Sequence, residues 1–243
     1  MNKVFAIETV NLTKKYKEKL AVDKINLSIK KGELFALLGT NGAGKSTTIK
    51  MLSTLILPSE GNAKVEELDI VKDSMVIKEL INVSPQETAI APNLTVIENL
   101  EFMAGVYEIK NKKEKIDELI KLFKLDEVLK QRAKTLSGGW KRKLSIAIAL
   151  INEPKVLFLD EPTLGLDVIA RKELWNVIEK VKGKITIILT THYMEEAESL
   201  SDRVGIMAKG KLLMVGTTEE IKKKANREKF EDAFVEIVTG GEK

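Results

Sequence analysis

The sequence predicts an α/β fold in which a mostly parallel sheet is covered by helices. Short apolar runs predict buried strands at residues 34–38, 156–159 and 185–189. Helical patterns follow them at residues 46–55, 168–181 and 194–200. This alternation is typical of parallel sheets, because parallel neighbours need a long connection that is usually a helix.

Five further strands are predicted outside this alternating pattern. They lie at residues 4–10, 25–29, 81–83, 204–207 and 212–215, and the last two flank a Lys-Gly turn. Residues 58–62, which contain a Pro and a Gly, are predicted to interrupt the regular secondary structure.

A helical insertion is predicted between two of the strands. Residues 95–152 show helical periodicity and no clear strand, so we expect them to leave the alternating pattern. Thr217 and Glu220 have the spacing of a capping box and predict a helix start. Apolar residues between 230 and 238 fall on one face of a further helix.

The composition excludes several classes of protein. The 243 residues carry a formal net charge of +4, and no block of like charge suggests an arm that binds nucleic acid. The chain contains no Cys, so it has neither disulfides nor thiolate metal sites. The longest apolar runs are far below the roughly 18 residues of a membrane-spanning helix. We therefore expect a soluble subunit.

A glycine loop at residues 39–47 (Gly-Thr-Asn-Gly-Ala-Gly-Lys-Ser-Thr) is the first candidate site. It matches the pattern G-x4-G-K-[ST] between an apolar strand and a helix. In such loops the backbone N–H groups surround phosphate oxygens, the Lys adds a positive charge, and the Ser hydroxyl can ligate Mg²⁺. A plain glycine-rich turn with a surface Lys is the alternative. The predicted phosphate-binding residues are Gly39, Asn41, Gly42, Ala43, Gly44, Lys45, Ser46 and Thr47.

A pair of carboxylates ends the strand predicted at residues 156–159. Asp160 and Glu161 would lie at the carboxyl edge of the sheet, where open α/β folds bind ligands. One carboxylate can hold Mg²⁺ through water, and the other can orient and deprotonate an attacking water. A solvated strand end would explain the pair if it stood alone. Beside the glycine loop, it predicts hydrolysis of a nucleotide.

The sequence resembles the nucleotide-binding subunit of ATP-binding cassette (ABC) transporters over nearly its whole length. The elements that carry the resemblance occur in the family's order: Tyr16, the glycine loop, Gln86, Leu-Ser-Gly-Gly at residues 136–139, Asp160-Glu161 followed by Gly-Leu-Asp at residues 165–167, and His192. Leu-Ser-Gly-Gly, here called the signature segment, separates this family from other phosphate-loop enzymes.

The resemblance assigns roles to single residues. Tyr16 would stack on adenine, and Gln86 would reach both Mg²⁺ and the attacking water. His192 would hold the γ-phosphate and the water. Together with Glu161 and Lys45, Gln86 and His192 form the implied catalytic set, and Ser46, Gln86 and Asp160 form the implied metal set. A half-buried core Tyr, a polar loop Gln and a structural His are the alternatives.

The signature segment implies a second subunit. Ser137 is predicted to be an N-cap, with Gly138 and Gly139 in the first helical turn, which leaves free N–H groups for an anion. By resemblance, that anion is the γ-phosphate of ATP bound to another copy of the chain. Two chains would then enclose two ATP molecules head to tail.

One residue departs from the family's usual pattern. Trp140 stands where the family most often has Gln, which could complete a capping box with Ser137. We expect slightly altered dimerisation from this change and no loss of activity.

The family also implies an arrangement of subdomains. It predicts a single domain over residues 1–243, with a phosphate-loop NTPase core and an N-terminal antiparallel β subdomain in residues 1–86 and 153–217. A helical subdomain would occupy residues 87–152, and a helical tail would occupy residues 218–243.

The implied function is ATP hydrolysis that drives transport. ATP and Mg²⁺ are the expected ligands, and separate transmembrane permease subunits are the expected partners, which would contact residues 87–107. The subunit would be cytoplasmic and peripheral on the inner face of the cell membrane. The tail at residues 230–234 resembles the exporter branch that handles drugs, sodium ions or polysaccharides.

Two other classes of protein remain alternatives. An ABC-type ATPase acting on nucleic acid or ribosomes usually carries a long coiled coil or a second cassette, and this sequence shows neither. A phosphate-loop kinase or GTPase would lack the signature segment. We therefore expect no nucleic-acid partner.

Overall fold

The computed structural model describes residues 5–240. The strands of this part of the chain are β1 (Phe5–Tyr16), β2 (Lys19–Lys30), β3 (Leu34–Gly39), β4 (Glu60–Val65), β5 (Leu68–Asp69), β6 (Ile81–Ser84), β7 (Val156–Asp160), β8 (Thr186–Thr191), β9 (Arg203–Ala208) and β10 (Lys211–Gly216). The α-helices are α1 (Lys45–Leu52), α2 (Ser74–Leu80), α3 (Val96–Val106), α4 (Lys112–Phe123), α5 (Gly138–Ala149), α6 (Val168–Val181), α7 (Met194–Leu200), α8 (Thr218–Ala225) and α9 (Phe230–Thr239).

The central sheet has six strands in the order β10-β9-β3-β8-β7-β6. The pairs β9–β3, β3–β8, β8–β7 and β7–β6 are parallel, and only the β10–β9 hairpin is antiparallel. Every residue of β3, β7 and β8 is buried, which explains the apolar runs at residues 34–38, 156–159 and 187–189. The predicted mostly parallel sheet is confirmed.

A second sheet, formed by strands within residues 5–69, packs against the central sheet. Its four strands are antiparallel, in the order β2-β1-β4-β5. Inward residues such as Ile7, Ile25 and Ile29 share one apolar cluster with Phe35 and Phe158 of the central sheet. The predicted antiparallel β subdomain is confirmed. Its first two strands are longer than predicted, and Val4, which the prediction included, lies outside the described residues.

The prediction that residues 58–62 interrupt the regular secondary structure is wrong. Pro58 does lie outside any helix or strand, but β4 begins at Glu60 and pairs with β1 on one side and β5 on the other. Gly61 has a φ of +73°, and an added Cβ would lie 2.1 Å from the carbonyl oxygen of Asn11. The glycine therefore permits close approach to β1 and does not mark the end of a strand.

Three helices and two short 3₁₀ turns, Leu125–Val128 and Ala133–Thr135, separate β6 from β7. Leu100, Phe123 and Leu144, one from each helix, meet in one buried cluster. Thr95 and Glu98 form a capping box that starts α3. The predicted absence of strands between residues 95 and 152 agrees with the structure, apart from an isolated bridge between Thr95 and Arg132.

The last two helices pack against the central sheet. Thr217 and Glu220 form the predicted capping box of α8, and Phe230 and Phe234 of α9 reach the cluster that contains Val204. Within residues 5–240, each helix is too short or too polar to span a bilayer.

We predict that the core of the central sheet controls stability. Phe158 is fully buried in β7, whereas Phe102 on α3 is 58% exposed. Phe158→Ala leaves a cavity and is expected to lower the free energy of unfolding by about 3–5 kcal/mol. The matched change Phe102→Ala should cost less than about 0.5 kcal/mol. Denaturant unfolding of both variants measures the difference, and equal losses would contradict this assignment of the core.

A buried carboxyl lies between α6 and α7. Glu196 is fully buried; its Oε1 accepts a hydrogen bond from Trp175 Nε1 at 3.1 Å, and its Oε2 has no hydrogen-bond partner among the described residues. Burial raises the pKa of Glu196 above its usual value, and Thr191, Thr163, Trp175 and Arg171 only partly oppose this effect.

Because its pKa is raised, we predict that Glu196→Gln increases the stability of the folded protein by an amount that depends on pH. Below pH 4.5, the ordinary value for Glu, the carboxyl is protonated in both states, so the stability difference between wild type and variant is constant. As the pH rises above it, the unfolded chain ionises first and the wild type loses stability relative to the variant. The gap grows by about 1.4 kcal/mol per unit of pKa elevation.

Thermal unfolding between pH 4 and pH 8 measures this gap. Glu198→Gln, which changes an exposed carboxyl of the same helix, is the control. A gap that stays constant over this range would show that Glu196 ionises as readily in the folded protein as in the unfolded chain.

Candidate functional site

The glycine loop connects the end of β3 to the start of α1. Gly44 is the N-cap residue of α1 and has a φ of +107°, and an added Cβ would lie 2.6 Å from the carbonyl oxygen of Ala21. Only glycine fits this position without strain. The first N–H groups of α1 and the positive end of its dipole are thereby left facing outward, as an anion requires.

A cavity of about 420 Å³ opens beside this loop. Its lining comes from β2 of the antiparallel sheet, from the glycine loop and the start of α1, and from the loops after β6, β7 and β8: Lys19, Ala21, Asn41, Gly42, Ala43, Gly44, Lys45, Ser46, Thr47, Gln86, Glu161, Leu164 and His192. A larger cleft of about 830 Å³ runs along α4, but exposed Lys, Glu and Asp side chains dominate its lining and it has no glycine loop. The smaller cavity is therefore the candidate nucleotide site.

Lys45 is a buried cation at the base of this cavity. Its Nζ donates to the carbonyl oxygen of Gly39 at 2.7 Å and lies 3.3 Å from Glu161 Oε1. The ammonium is thus held next to the loop N–H groups and next to the carboxylate pair. A lysine in this position adds a point charge where phosphate oxygens would bind.

Asp160 ends β7 inside a hydrogen-bond network. Its Oδ1 accepts from Thr190 Oγ1 at 2.5 Å and from Ser46 Oγ at 3.1 Å. Thr190 Oγ1 in turn accepts from the backbone N–H of Glu161 at 3.0 Å. β7 and β8 are parallel neighbours, so their adjacent ends bring these groups together. Asp160 and Ser46, both predicted to bind metal, are in contact. Thr190 was not predicted.

Glu161 has a backbone that most residues avoid. Its φ is +48°, in the left-handed region, immediately after β7. The chain turns there, and the buried carboxylate faces the cavity. Glu161 Oε2 lies 2.7 Å from His192 Nδ1, a hydrogen bond in which the carboxylate accepts. Strained residues cluster at functional sites, and this one joins two predicted catalytic residues.

Gln86 lies on the exposed loop after β6 and lines the same cavity. Its backbone is held by a residue that the sequence did not reveal, the buried Arg142 of α5. The Arg142 guanidinium donates to the carbonyl oxygens of Pro85 and Gln86. Helical spacing could not single it out, because every residue of α5 from Arg142 to Ala149 is buried.

Tyr16 remains a prediction as the adenine contact. It is exposed at the end of β1, with Lys14 Nζ 5.1 Å from its ring centroid, and it is not among the described residues that line the cavity. Lys19 and Ala21 of β2 line the cavity from this side. Neither residue was predicted, because nothing in their local pattern distinguishes them from other residues of an edge strand.

The signature segment lies at the start of α5 and outside the described lining of the cavity. Ser137 is the N-cap residue, as predicted, but its side chain makes no capping hydrogen bond. An added Cβ at Gly138 would meet no atom within 4 Å, so nothing inside the described chain requires glycine there. Trp140, which departs from the family pattern, lies under Lys143, whose Nζ is 4.3 Å from its ring centroid.

The donor set fits Mg²⁺ that is bound largely through phosphate and water. Ser46 Oγ and Asp160 Oδ1 converge, and Gln86 faces the same cavity. Within residues 5–240, no group of three or more His, Cys, Asp or Glu residues could enclose a metal. Mg²⁺ in nucleotide sites typically has one or two protein carboxylates and takes its other ligands from phosphate and water.

Comparison with known proteins agrees with this geometry. The profile of the family described as ABC transporter matches residues 22–164. The chain is 39% identical over 240 residues to the probable multidrug ABC transporter ATP-binding protein YbhF of Escherichia coli. That match covers 96% of this chain and 41% of the relative, so the chain spans less than half of the relative's length.

Two solved structures are similar over most of the chain. One, the ATP-binding subunit of an ABC transporter, is 28% identical with a TM-score of 0.86 and covers 96% of this chain and 99% of its own. The other is a dimeric ATP-binding cassette in a post-hydrolysis state, bound to ADP and phosphate. It is 25% identical with a TM-score of 0.79 and covers 87% of this chain and 98% of its own.

Proposed function

Because the chain belongs to the ABC transporter family, it is an ATPase of the ABC type, and we propose that it hydrolyses MgATP as a head-to-tail dimer to drive export through separate transmembrane subunits. The contact between Glu161 and His192 beside Lys45 is the observation that carries this proposal. It assembles a base, its partner and a phosphate-binding cation in one cavity.

In this mechanism the residues divide the work by position. The glycine loop and Lys45 hold the phosphates, and Glu161 accepts the proton of the attacking water. His192 fixes the carboxylate through its 2.7 Å hydrogen bond. Its other ring nitrogen would contact the γ-phosphate, as the family resemblance implies. Mg²⁺ held near Ser46, Asp160 and Gln86 would neutralise charge on the phosphate oxygens. Tyr16 is assigned to adenine.

The second half of each site comes from the partner copy. Ser137, Gly138 and Gly139 present the start of α5 away from their own cavity, and Gly138 has open space where a side chain would be. A phosphate on the partner copy can approach those N–H groups. The similar structure of a dimeric cassette supports this arrangement.

The transmembrane partners are proposed to dock on the helical region. Phe102 and Val106 of α3 are exposed apolar side chains within the segment of residues 87–107 that the resemblance implicated. Docking there would place the subunit at the inner face of the membrane. Export is favoured because the relative YbhF is described as a multidrug transporter protein. Nucleic acid is not an expected partner.

We predict that Glu161→Gln separates binding from hydrolysis. The amide keeps the shape of the side chain but cannot accept the proton, so ATP should still bind while kcat falls by at least about 100-fold. The trapped ATP should hold two chains together, which size-exclusion chromatography with and without MgATP measures. A monomer that turns over ATP at the wild-type rate would refute both the base and the dimer.

We predict that Gly138→Ala impairs turnover without harming the monomer. Its Cβ meets nothing within the described chain but would obstruct the approach of the partner's phosphate, so kcat should fall at least about tenfold. Gly105→Ala in α3 is the matched control, because its Cβ also has space and the residue is not among those that line the cavity. Thermal unfolding should show neither variant less stable than wild type. Equal turnover in both variants would remove the role of Gly138.

A further inference from the structure

Arg142 is an unusual buried charge close to the candidate site. Its side chain is on α5, one turn after the signature segment, and the residue is only 4% exposed. Nη1 donates to the carbonyl oxygen of Pro85 at 2.6 Å, and Nη2 donates to that of Gln86 at 2.7 Å. Nη2 also lies 3.3 Å from the carbonyl oxygen of Glu161. Three separate backbone groups therefore meet at one guanidinium.

These partners are carbonyl oxygens, not carboxylates. Burial lowers the pKa of Arg142, and the charges of Asp160 and Glu196 oppose this effect without forming an ion pair with it. Burying an arginine in this way costs free energy that charge-assisted hydrogen bonds must offset. Two of the three acceptors belong to Gln86 and Glu161, the residues assigned to the attacking water.

The hydrogen bonds act on the backbone where it is least regular. Glu161 has a φ of +48°, and Gln86 lies on an exposed loop outside any strand or helix. Neither residue has backbone hydrogen bonds to neighbouring strands on both of its sides. The planar fork of an arginine can fix several acceptors at once in a set geometry, which a lysine ammonium on a flexible stem cannot.

The helix that carries Arg142 is anchored to the same region. Ser145 Oγ, one turn further along α5, lies 3.1 Å from Ser84 Oγ at the end of β6. α5 also begins at the signature segment, which faces the partner copy in the proposed dimer. Any shift of α5 against the central sheet would therefore move the carbonyl groups of Gln86 and Glu161 with it.

We infer that Arg142 is a positioning residue that holds the backbones of Gln86 and Glu161 in their hydrolytic geometry and links them to the helix carrying the signature segment. This inference rests on the proposed roles of Gln86 and Glu161 in hydrolysis. Arg142 itself touches neither nucleotide nor water in this scheme. Its loss therefore affects kcat and leaves nucleotide affinity almost unchanged.

The experiment compares Arg142→Met and Arg142→Lys in the full chain. For each variant, ATP turnover gives kcat and KM, titration with a fluorescent ATP analogue gives Kd, and a thermal melt verifies folding at the assay temperature. We expect kcat to fall at least about tenfold for Arg142→Met, because a displacement of about 1 Å at a reacting centre can lower the rate by about 100-fold. Arg142→Lys should recover part of the loss, and Kd should change less than about twofold in both.

Lys115→Met is the matched control. Lys115 is a partly buried cation of α4 that pairs with Glu118 and Glu153, away from the cavity, so its loss removes the same charge from the helical region. Its kcat should remain near that of wild type. If Arg142→Met fails to fold, Arg142→Lys decides alone, by a fall in kcat at constant Kd.

Glu161→Gln is measured in the same series to keep the two proposals apart. A wild-type kcat in Arg142→Met, or in Arg142→Lys if only that variant folds, together with a slow Glu161→Gln, would overturn the positioning role and leave the proposed function intact. A loss of kcat matched by an equal weakening of Kd would also overturn it, because Arg142 would then serve binding. A wild-type kcat in Glu161→Gln would overturn both.

Discussion

The turn that follows β7 is the constraint on which the site depends. Asp160 is the last residue of a fully buried strand, and Glu161 must leave it with a φ of +48° to bring its carboxylate into the cavity. A strained backbone of this kind persists only where its surroundings over-determine it. Here the surroundings are Thr190, which accepts from the Glu161 N–H, and Arg142, which approaches the Glu161 carbonyl oxygen.

Charges that would be costly if isolated support one another around this turn. Lys45, Asp160, Glu161 and Arg142 are all nearly inaccessible to water, and each has at least one hydrogen-bond or ion-pair partner. Inside a protein such interactions are stronger than in water, and removing one partner leaves another charge uncompensated. The site is therefore a single network, in which the effects of separate substitutions are not expected to add.

The sequence predicts the parts of the site that lie on regular elements and misses those that depend on folding. Asp160 ends a buried strand, and Glu161 and His192 each directly follow one. Parallel strands must bring their carboxyl ends to one edge. Arg142 and Thr190 were missed because their importance comes from partners 19 to 57 residues away in the chain.

The same distinction explains the fold. β3, β7 and β8 are buried on both faces and therefore contain the apolar runs 34–38, 156–159 and 187–189, so they are visible in the sequence. β4 contains Glu60, Gly61 and Asn62, and it becomes a strand because β1 and β5 pair with it. Tertiary pairing overrides weak local propensity in such a segment.

The cavity lies between the antiparallel sheet and the loops that follow strands of the central sheet, and this has a consequence for the protein as a whole. Lys19 and Ala21 belong to the antiparallel sheet, whereas Glu161 and His192 follow strands of the central one. A nucleotide bound in this cavity would contact both parts of the protein, so it binds only when the two sheets are correctly packed. Folding and nucleotide concentration are therefore thermodynamically linked: at one hundred times its Kd, a ligand adds about 2.7 kcal/mol to the stability of the folded state. At a low nucleotide concentration, this subunit would therefore lose stability as well as activity.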